Sequence, residues 1–271
     1  MRIAVCVKPV PDPKTAGDIT IDPVTKRIRR EQGKSIINPL DRNALELALR
    51  FKEQEGGEVA VFAMAPPSAI NVLRETLALG ADYAYLLSDP LFGGSDSLAT
   101  ANIIAAGLNF ARQGGEWNLI LFGAYSSDGG TSQVPAQVGE WLSVPNFHFV
   151  SYAEYCEGIY SFTCDYGDRL QTWKCSSPLL LSVTRDINKP RYTTIRGIVS
   201  AKKKKIMTLA CRDLELDTDL LGLSGSPTKN GNIYPLTPTR SCSSISGSKE
   251  EIASKLLDIL VNSGINILAN K

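Results

Sequence analysis

Short apolar segments alternate with helix-like segments from residue 3 to residue 141. Apolar runs without polar alternation are typical of strands buried on both faces, and parallel neighbours of that kind must be joined by crossover helices. The pattern therefore predicts an α/β fold with a doubly wound parallel sheet. The predicted strands are residues 3–7, 58–64, 83–87 and 118–122. The first predicted helix has Asn38 or Asp41 near its cap and apolar positions between residues 44 and 51; the next two are residues 66–79 and 95–112, and a fourth ends near Trp141.

The pattern changes after Trp141. Residues 155–163 and 169–174 alternate around a polar turn, which predicts an added antiparallel hairpin, and residues 179–183 predict another buried strand. The only histidine, His148, lies in an alternating segment, so a structural role on a strand is favoured over a catalytic one. Residues 186–198 show no clear period.

Proline and charge mark the remaining segments. Three prolines between residues 9 and 13 predict an extended loop outside any ladder, and residues 19–22 and 27–30 predict a hairpin. Four lysines at 202–205 indicate a solvated surface, with an acidic partner or a cofactor as the alternative.

The C-terminal part differs in composition. Residues 213–247 are rich in Gly, Ser, Pro and Thr, which predicts an extended arm, and residues 249–261 predict a helix with an apolar stripe at Ile252, Leu256, Leu257 and Leu260. We therefore expect an α/β domain over residues 1–205, and an arm and helix over residues 206–271 that dock on a partner subunit.

Charge and cysteine usage exclude several classes. A net charge of +1 gives no general attraction to nucleic acid or anionic lipid. The apolar start reaches Lys8 and Pro9 too early for a signal peptide, and no apolar run is long enough for a membrane span, so a cytoplasmic location is expected. Six cysteines without a C-x-x-C pair, and a single histidine, argue against a metal site and for reduced thiols.

The predicted strand at 118–122 leads into a polar, glycine-bearing loop that opens a helix. Backbone N–H groups at a helix N-terminus bind phosphate, and glycines allow close approach. Ser126, Ser127, Thr131 and Ser132 add donors, Gln133 suits a ribose or base edge, and Asp128 suits a cap or a ribose hydroxyl. Gly129 is expected to adopt positive φ there. The alternative is an ordinary helix entry, because the loop is neither G-x-G-x-x-G nor a Walker A loop.

Ligands of doubly wound sheets bind at the carboxyl ends of the strands. Four segments follow such ends or begin the next helix, and the rule predicts that they surround one crevice. They are residues 6–9, 38–41, 64–66 and 123–134.

An ordered set of motifs resembles the β subunit of electron transfer flavoprotein along the whole chain. The motifs are V-C-V-K-P-V-P-D, I-N-P-L-D, A-L-G-A-D, D-G-x-T-x-Q, N-K-P-R-Y and A-K-K-K-K-I. The resemblance implies a flavodoxin-like or Rossmann-like domain without catalytic residues of its own. It implies pairing with an α subunit that carries a redox FAD, and a nucleotide site that holds AMP in the housekeeping group. The family's nucleotide contacts fall on Cys6, Asn38, Pro39, Leu40, Asp41, Met64, Gly123, Asp128, Gly129, Gly130, Thr131, Ser132, Gln133 and Val134.

Four segments, residues 35–39, 92–100, 131–135 and 222–229, look closer to the electron-bifurcating branch of that family. In that branch FAD replaces AMP in the β subunit and accepts hydride from NADH. A glycine pair before a helix suits the phosphates of a second dinucleotide, so the NADH-binding candidates are Gly93, Gly94, Asp96, Ser97 and Thr100. Ile195 corresponds to the family's partner-docking leucine, a volume-conserving change.

The sequence also departs from the family pattern. Gly130 replaces a second Asp, Pro135 replaces a Gly, and Asp186 stands where many members have Arg. The missing carboxylate removes one acceptor from the nucleotide loop.

Three functions are consistent with these residues. The favoured one is a bifurcating-type β subunit with FAD, which exchanges electrons with NADH, a flavin dehydrogenase, and ferredoxin or flavodoxin. The second is an AMP-bearing β subunit with a structural role. The third is a stand-alone nucleotide-binding regulator, because fold does not fix function.

Overall fold

The computed structural model describes residues 1–14, 20–21, 28–29, 35–229, 231 and 242–264, with the backbone alone at 20–21, 28–29 and 113. The chain divides into two compact units, Met1–Gly231 and Asn232–Lys271. The boundary predicted from the sequence lies earlier, after Lys205. That residues 206–271 dock on a partner subunit stays a prediction.

The first unit is built on a nine-stranded sheet. Its strands are β1 Arg2–Cys6, β6 Glu58–Met64, β7 Tyr83–Leu87, β8 Leu119–Gly123, β9 Asn146–Cys156, β10 Ile159–Asp165, β11 Leu170–Ser176, β12 Leu179–Val183 and β13 Ile206–Leu209. The strand order is β11-β10-β9-β12-β8-β1-β6-β7-β13. The six strands from β12 to β13 are parallel neighbours, β9 joins β12 in parallel, and β9, β10 and β11 form an antiparallel extension.

Helices cover both faces of the sheet, which confirms the doubly wound prediction. Alternate residues of β1 point to opposite sides: Ile3 and Val5 pack in one core cluster, Ala4 and Cys6 in the other. The helices of the first unit are α1 Pro39–Glu55, α2 Ile70–Leu79, α3 Ser97–Ala111, α4 Val134–Leu142 and α5 Ile195–Lys203, and α6 Lys249–Asn262 lies in the second unit. The first cluster includes residues of α1, α2 and α5, and the second includes residues of α3 and α4.

The chain order creates a switch point between β1 and β8. From β1 the chain moves outward to β6 and β7, then crosses back to place β8 on the other side of β1. The crossovers that leave β1 and β8 therefore lie on opposite faces, and a crevice opens at the carboxyl ends of these two strands.

The prediction that residues 9–13 stay outside any ladder is wrong in part. Strand β2, Pro9–Pro11, pairs antiparallel with β5, Ser35–Ile37, in a separate ribbon of two strands. A ribbon of this size consists of edge strands only, where a proline without N–H is tolerated. The predicted hairpin is present as β3 Thr20–Ile21 paired with β4 Ile28–Arg29, and its turn lies outside the described residues.

The antiparallel addition is larger than the single predicted hairpin. Residues 155–163 are not one strand, because a turn at Glu157 and Gly158, with φ of 49° and 87°, joins β9 to β10. Two consecutive positive φ values are typical of the tight turn in a β-hairpin with a two-residue loop. His148 lies on β9 as expected, with its ring nitrogens 3.1 Å from Ser182 Oγ and 2.9 Å from Asn146 Oδ1, and burial lowers its pKa.

Two elements between residues 195 and 209 were missed from the sequence. Helix α5 includes Lys202 and Lys203, and strand β13 adds an edge to the sheet beside β7. Arg74 donates hydrogen bonds to the carbonyls of Ala201 and Lys204 at the end of α5. Lys202 and Lys203 are exposed as expected, whereas the Lys204 ammonium donates to the Ala81 carbonyl.

The segment predicted as an arm begins inside the first unit. Leu214 and Leu221 are buried in the second core cluster, and Ser226 is 4% exposed. The second unit contains α6, where Ser248 and Glu251 form a capping box. All six cysteines lie in described segments as free thiols. No helix among the described residues is long and apolar enough to span a bilayer.

Candidate functional site

Asp41 joins three segments at the switch point. One carboxylate oxygen accepts a hydrogen bond from the backbone N–H of Lys8 at 2.6 Å, after β1. The other accepts from the backbone N–H of Gly123, at the end of β8, at 3.1 Å, and from the Asn38 amide at 3.0 Å. Asp41 is only 5% exposed, so its carboxyl holds the segments together from inside the crevice.

Burial dominates the electrostatics of this carboxyl. It raises the pKa of Asp41 to about 7, although the hydrogen bonds from Lys8, Asn38 and Gly123 and the Lys8 charge act in the opposite direction. Burial also raises the pKa of the neighbouring Cys6 thiol, with a further contribution from Asp41. Cys6 is therefore a neutral thiol in the crevice wall.

Asn38 connects α1 to the loop after β8. Its side-chain oxygen accepts from the Ser127 N–H at 3.1 Å, and its amide nitrogen donates to the Tyr125 carbonyl at 2.9 Å. Asn38 occupies the N-cap position of α1 but makes no side-chain capping bond there. Its amide thus fixes the path of the polar loop.

Gly123 allows the start of α1 to approach β8. A Cβ at this position would lie 2.7 Å from Leu40 Cβ and 2.8 Å from the Asp41 nitrogen. Contacts of that length are not tolerated, so a side chain here would separate α1 from β8.

The polar loop folds back on Ser126 and Lys8. The Ser126 carbonyl accepts from the Gly130 N–H at 2.9 Å, and its hydroxyl accepts from the Gly129 N–H at 3.3 Å. The Lys8 ammonium donates to Asp128 at 2.7 Å and to the Ser126 hydroxyl at 3.3 Å. The sequence offered Asp128 as a cap or a ribose contact, and the structure places it beside Lys8, a residue that sequence reasoning did not connect with it.

The glycine at positive φ is Gly130, not Gly129 as the sequence predicted. Gly130 has a φ of 64°, and Ser132 has a φ of 58°. A Cβ on Gly130 would meet nothing closer than the Ser126 carbonyl oxygen at 4.0 Å, so its requirement for glycine is conformational rather than steric.

Helix α4 begins at the end of this loop without a side-chain cap. Gln133 is its N-cap residue and makes no side-chain capping bond. Helix α3 differs, because the carboxylate of Asp96 accepts from the N–H groups of Leu98 and Ala99 at 3.0 Å each. Pro135 has no N–H, so the N-terminus of α4 offers the remaining N–H groups of its first turn to an external anion, whereas the Asp96 carboxylate occupies the N-terminus of α3.

The NADH-binding candidates lie beside the nucleotide loop. The Ser97 hydroxyl donates to the Gln133 side-chain oxygen at 2.8 Å, which joins the first turn of α3 to the start of α4. Gly94 has a φ of 83°. Although burial raises the pKa of Asp96, hydrogen bonds from Thr228, Ala99 and Leu98 more than compensate, so the pKa is lowered.

The remaining predicted contacts line the same strand ends. Leu40 is buried at the start of α1, Pro39 beside it is exposed, and Met64 and Val134 pack partly against the second core cluster. Thr131 is exposed in the loop. The structure thus brings the four predicted segments to one edge of the sheet.

Two large apolar side chains, Ile195 and Tyr192, are each 84% exposed. The segment before them is clamped on α1. Arg191 donates to Glu46 at 2.8 Å and also pairs with Glu53, while the Asn43 amide donates to the Asn188 carbonyl at 2.8 Å. These residues hold Ile195 in place, and only the N-K-P-R-Y motif marked them in the sequence.

The chain is similar to known proteins over most of its length. The family model of the electron transfer flavoprotein domain matches residues 27–214. The electron transfer flavoprotein subunit beta of Thermoanaerobacterium thermosaccharolyticum is 41% identical over 84% of this chain and 86% of its own. That of Clostridium acetobutylicum is 39% identical over 84% and 86%. The caffeyl-CoA reductase-Etf complex subunit CarD of Acetobacterium woodii is likewise 39% identical over 84% and 86%.

Proposed function

The chain belongs to the electron transfer flavoprotein family as a β subunit, and from this premise we propose that it binds an adenine nucleotide in the loop of residues 126–134. It then serves electron transfer as one half of a heterodimer with an α subunit. The favoured nucleotide is FAD, and the alternative is AMP.

One observation supports the site most directly: the uncapped N-terminus of α4 lies at the switch point of the sheet. Phosphate is favoured there by the helix dipole and by the backbone N–H groups. The N–H groups of Gly129 and Gly130 already donate to Ser126, so the donors available to a phosphate are those of the first turn of α4 and the Lys8 ammonium, which lies 3.3 Å from the Ser126 hydroxyl in the same loop. The donors present therefore fit the phosphates of a dinucleotide or a mononucleotide.

The chain's own residues orient the ligand rather than react with it. Asn38 and Asp41 use their polar atoms to hold the loop, so they act on the nucleotide through Ser127 and Gly123. Ser126, Thr131 and Ser132 remain the hydroxyl donors of the loop. When bound, FAD would supply the redox chemistry.

A bifurcating role with NADH as donor is the favoured form of this function. The support is the likeness of residues 92–100 and 222–229 to that branch, and the closeness of Ser97 to Gln133 in the structure. The Asp96 carboxylate already uses two N–H groups of α3, the Gly93 N–H donates to the Pro90 carbonyl at 3.1 Å, and the Ser97 hydroxyl donates to Gln133. NADH phosphates would therefore rely on Gly94 and Thr100.

The proposed partners dock on two surfaces. Ile195 and Tyr192, both 84% exposed, suit a dehydrogenase. Within the second unit, Leu256, Leu257, Ile259 and Val261 of α6 are exposed, and we assign their apolar atoms to the α subunit.

The nucleotide released from the heterodimer tests the proposal. The chain is expressed together with its α subunit, the complex is denatured, and the released nucleotides are separated by chromatography and read by absorbance. FAD beyond one per heterodimer supports the favoured form, and AMP beside a single FAD supports the alternative. A complex with neither overturns the nucleotide site. Purification of this chain without a second subunit would favour the stand-alone regulator.

A further inference from the structure

Residues 221–228 cross the start of α3, and we call them the strap. Leu221 anchors the strap in the second core cluster at 2% exposure. Gly222 has a φ of 60°, and a Cβ there would lie 3.1 Å from the Gly93 carbonyl oxygen. The strap therefore packs tightly on the loop that precedes α3.

Asp96 holds the other end of the strap. Its backbone N–H donates to the buried Ser226 hydroxyl at 2.8 Å, and that hydroxyl donates to the Gly222 carbonyl at 2.5 Å. One oxygen of the Asp96 carboxylate accepts from both the N–H of Thr228, at 3.0 Å, and its hydroxyl. The other oxygen caps α3. A single carboxylate thus ties the strap to the first turn of the helix.

Ser97, the residue after Asp96, contacts the nucleotide loop. Ser97 belongs to the first turn of α3 and donates to Gln133 at 2.8 Å. Gln133 directly precedes α4, whose N-terminus is the proposed phosphate site. Thr228, Asp96, Ser97 and Gln133 therefore form a continuous chain of contacts and adjacent residues.

We propose that Asp96 is a positioning residue for the nucleotide loop. Held by the strap, it fixes the first turn of α3, and Ser97 from that turn orients Gln133 at the start of α4. The inference rests on the proposed nucleotide site, and it gives Asp96 a role apart from contact with NADH. Displacement of the strap should therefore weaken nucleotide binding.

Three variants of the full chain test this role. Thr228→Val removes the hydroxyl but keeps the N–H and the shape of the side chain, Thr228→Ser restores a hydroxyl, and Ser97→Ala breaks the link to Gln133 alone. Two properties are measured: amide hydrogen exchange of residues 126–133 in the free protein, and the Kd for FAD and for AMP. The unfolding midpoint is followed in parallel.

Thr228→Val should speed exchange at residues 126–133 and weaken nucleotide binding, each by roughly threefold to tenfold, as expected for one lost hydrogen bond. Thr228→Ser should behave as wild type. In the Ser97→Ala background, Thr228→Val should add no further change, because the link is already broken. Exchange in β6 should stay unchanged.

Faster exchange confined to residues 96–99 and 221–229 would overturn the positioning role and leave the strap as a local anchor. Additive effects of the two substitutions would overturn it as well. If wild type binds neither nucleotide, both alone and with its α subunit, the proposed function fails, and the exchange measurement still decides whether Asp96 positions the loop.

Discussion

The Asp41 carboxylate accepts a hydrogen bond from the backbone N–H of Gly123 at 3.1 Å, across 82 residues of sequence. This contact joins the start of α1 to the end of β8 and places the polar loop between them. The geometry requires glycine at position 123, because a Cβ would lie 2.7 Å from Leu40 Cβ. The proposed nucleotide site depends on this junction.

Gly123→Ala should lower the free energy of unfolding by about 2–4 kcal/mol, from overpacking and from the strained Asp41 bond. Chemical denaturation of the full chain measures this change. Gly129→Ala is the matched control, since its Cβ would lie 3.3 Å from Ser126 Oγ and 3.5 Å from Lys8 Nζ, both ends of mobile side chains. Equal free energies of unfolding in the two variants would contradict the claim that close packing of α1 on β8 requires glycine at position 123.

Asp41 should make stability fall as pH rises. Its pKa is about 7 in the folded chain, against about 3.9 for an unfolded aspartate, so the folded state binds more protons between these values. The free energy of unfolding is then highest below about pH 4 and falls until about pH 7. The groups that face this carboxyl are Cys6 and Lys8.

The measurement is denaturant unfolding at pH 5 and at pH 8. Wild type should lose about 2.5 kcal/mol from this group between the two. Asp41→Asn does not titrate, so its loss should be smaller by that amount. The same pH dependence in both proteins would show that the carboxyl titrates outside this range.

Features set by neighbouring residues were predicted from the sequence, whereas features set by contacts between distant segments were missed. The strand, loop and helix over residues 119–142 follow from apolar and polar patterning alone. The positive φ at Gly130 rather than Gly129 depends on the path set by Ser126 and Asn38, which no local pattern encodes. Helix α5 was missed because it packs on α2 through the small residues Gly197 and Ala201, which give no apolar stripe in the sequence, while Ile195, Ile198 and Val199 are exposed.

NADH should reduce the flavin of the assembled heterodimer directly, and Gly94→Ala should raise the NADH concentration required without releasing flavin. Stopped-flow absorbance measures both. Gly56→Ala is the control for backbone strain, since Gly56 has a φ of 71° and a Cβ added there would have no neighbouring atom within 4 Å. Absence of flavin reduction by NADH in wild type excludes the bifurcating role. If Gly94→Ala requires the same NADH concentration as wild type, only the assignment of NADH binding to this loop is excluded.

Ile195→Ser should leave the free energy of unfolding within about 0.5 kcal/mol, because the side chain is 84% exposed. The KM of the dehydrogenase for the heterodimer should rise roughly tenfold, as for a residue at the centre of an interface, while kcat stays the same. Leu170→Ser, at a site 68% exposed on β11, is the control and should change neither value. A normal KM for Ile195→Ser would remove this residue from the docking surface.

The most direct test of the central claim counts nucleotides per heterodimer in loop variants. Gly130→Val should lose the nucleotide of this chain and keep that of the α subunit, because valine resists a φ of 64°, whereas Gly130→Asn tolerates it and should keep both. Gly167→Val, at a φ of 86° in the turn between β10 and β11, imposes similar strain away from the loop and should also keep both. The account predicts two nucleotides in wild type and one in Gly130→Val. Two nucleotides in Gly130→Val, or one in wild type, would contradict it.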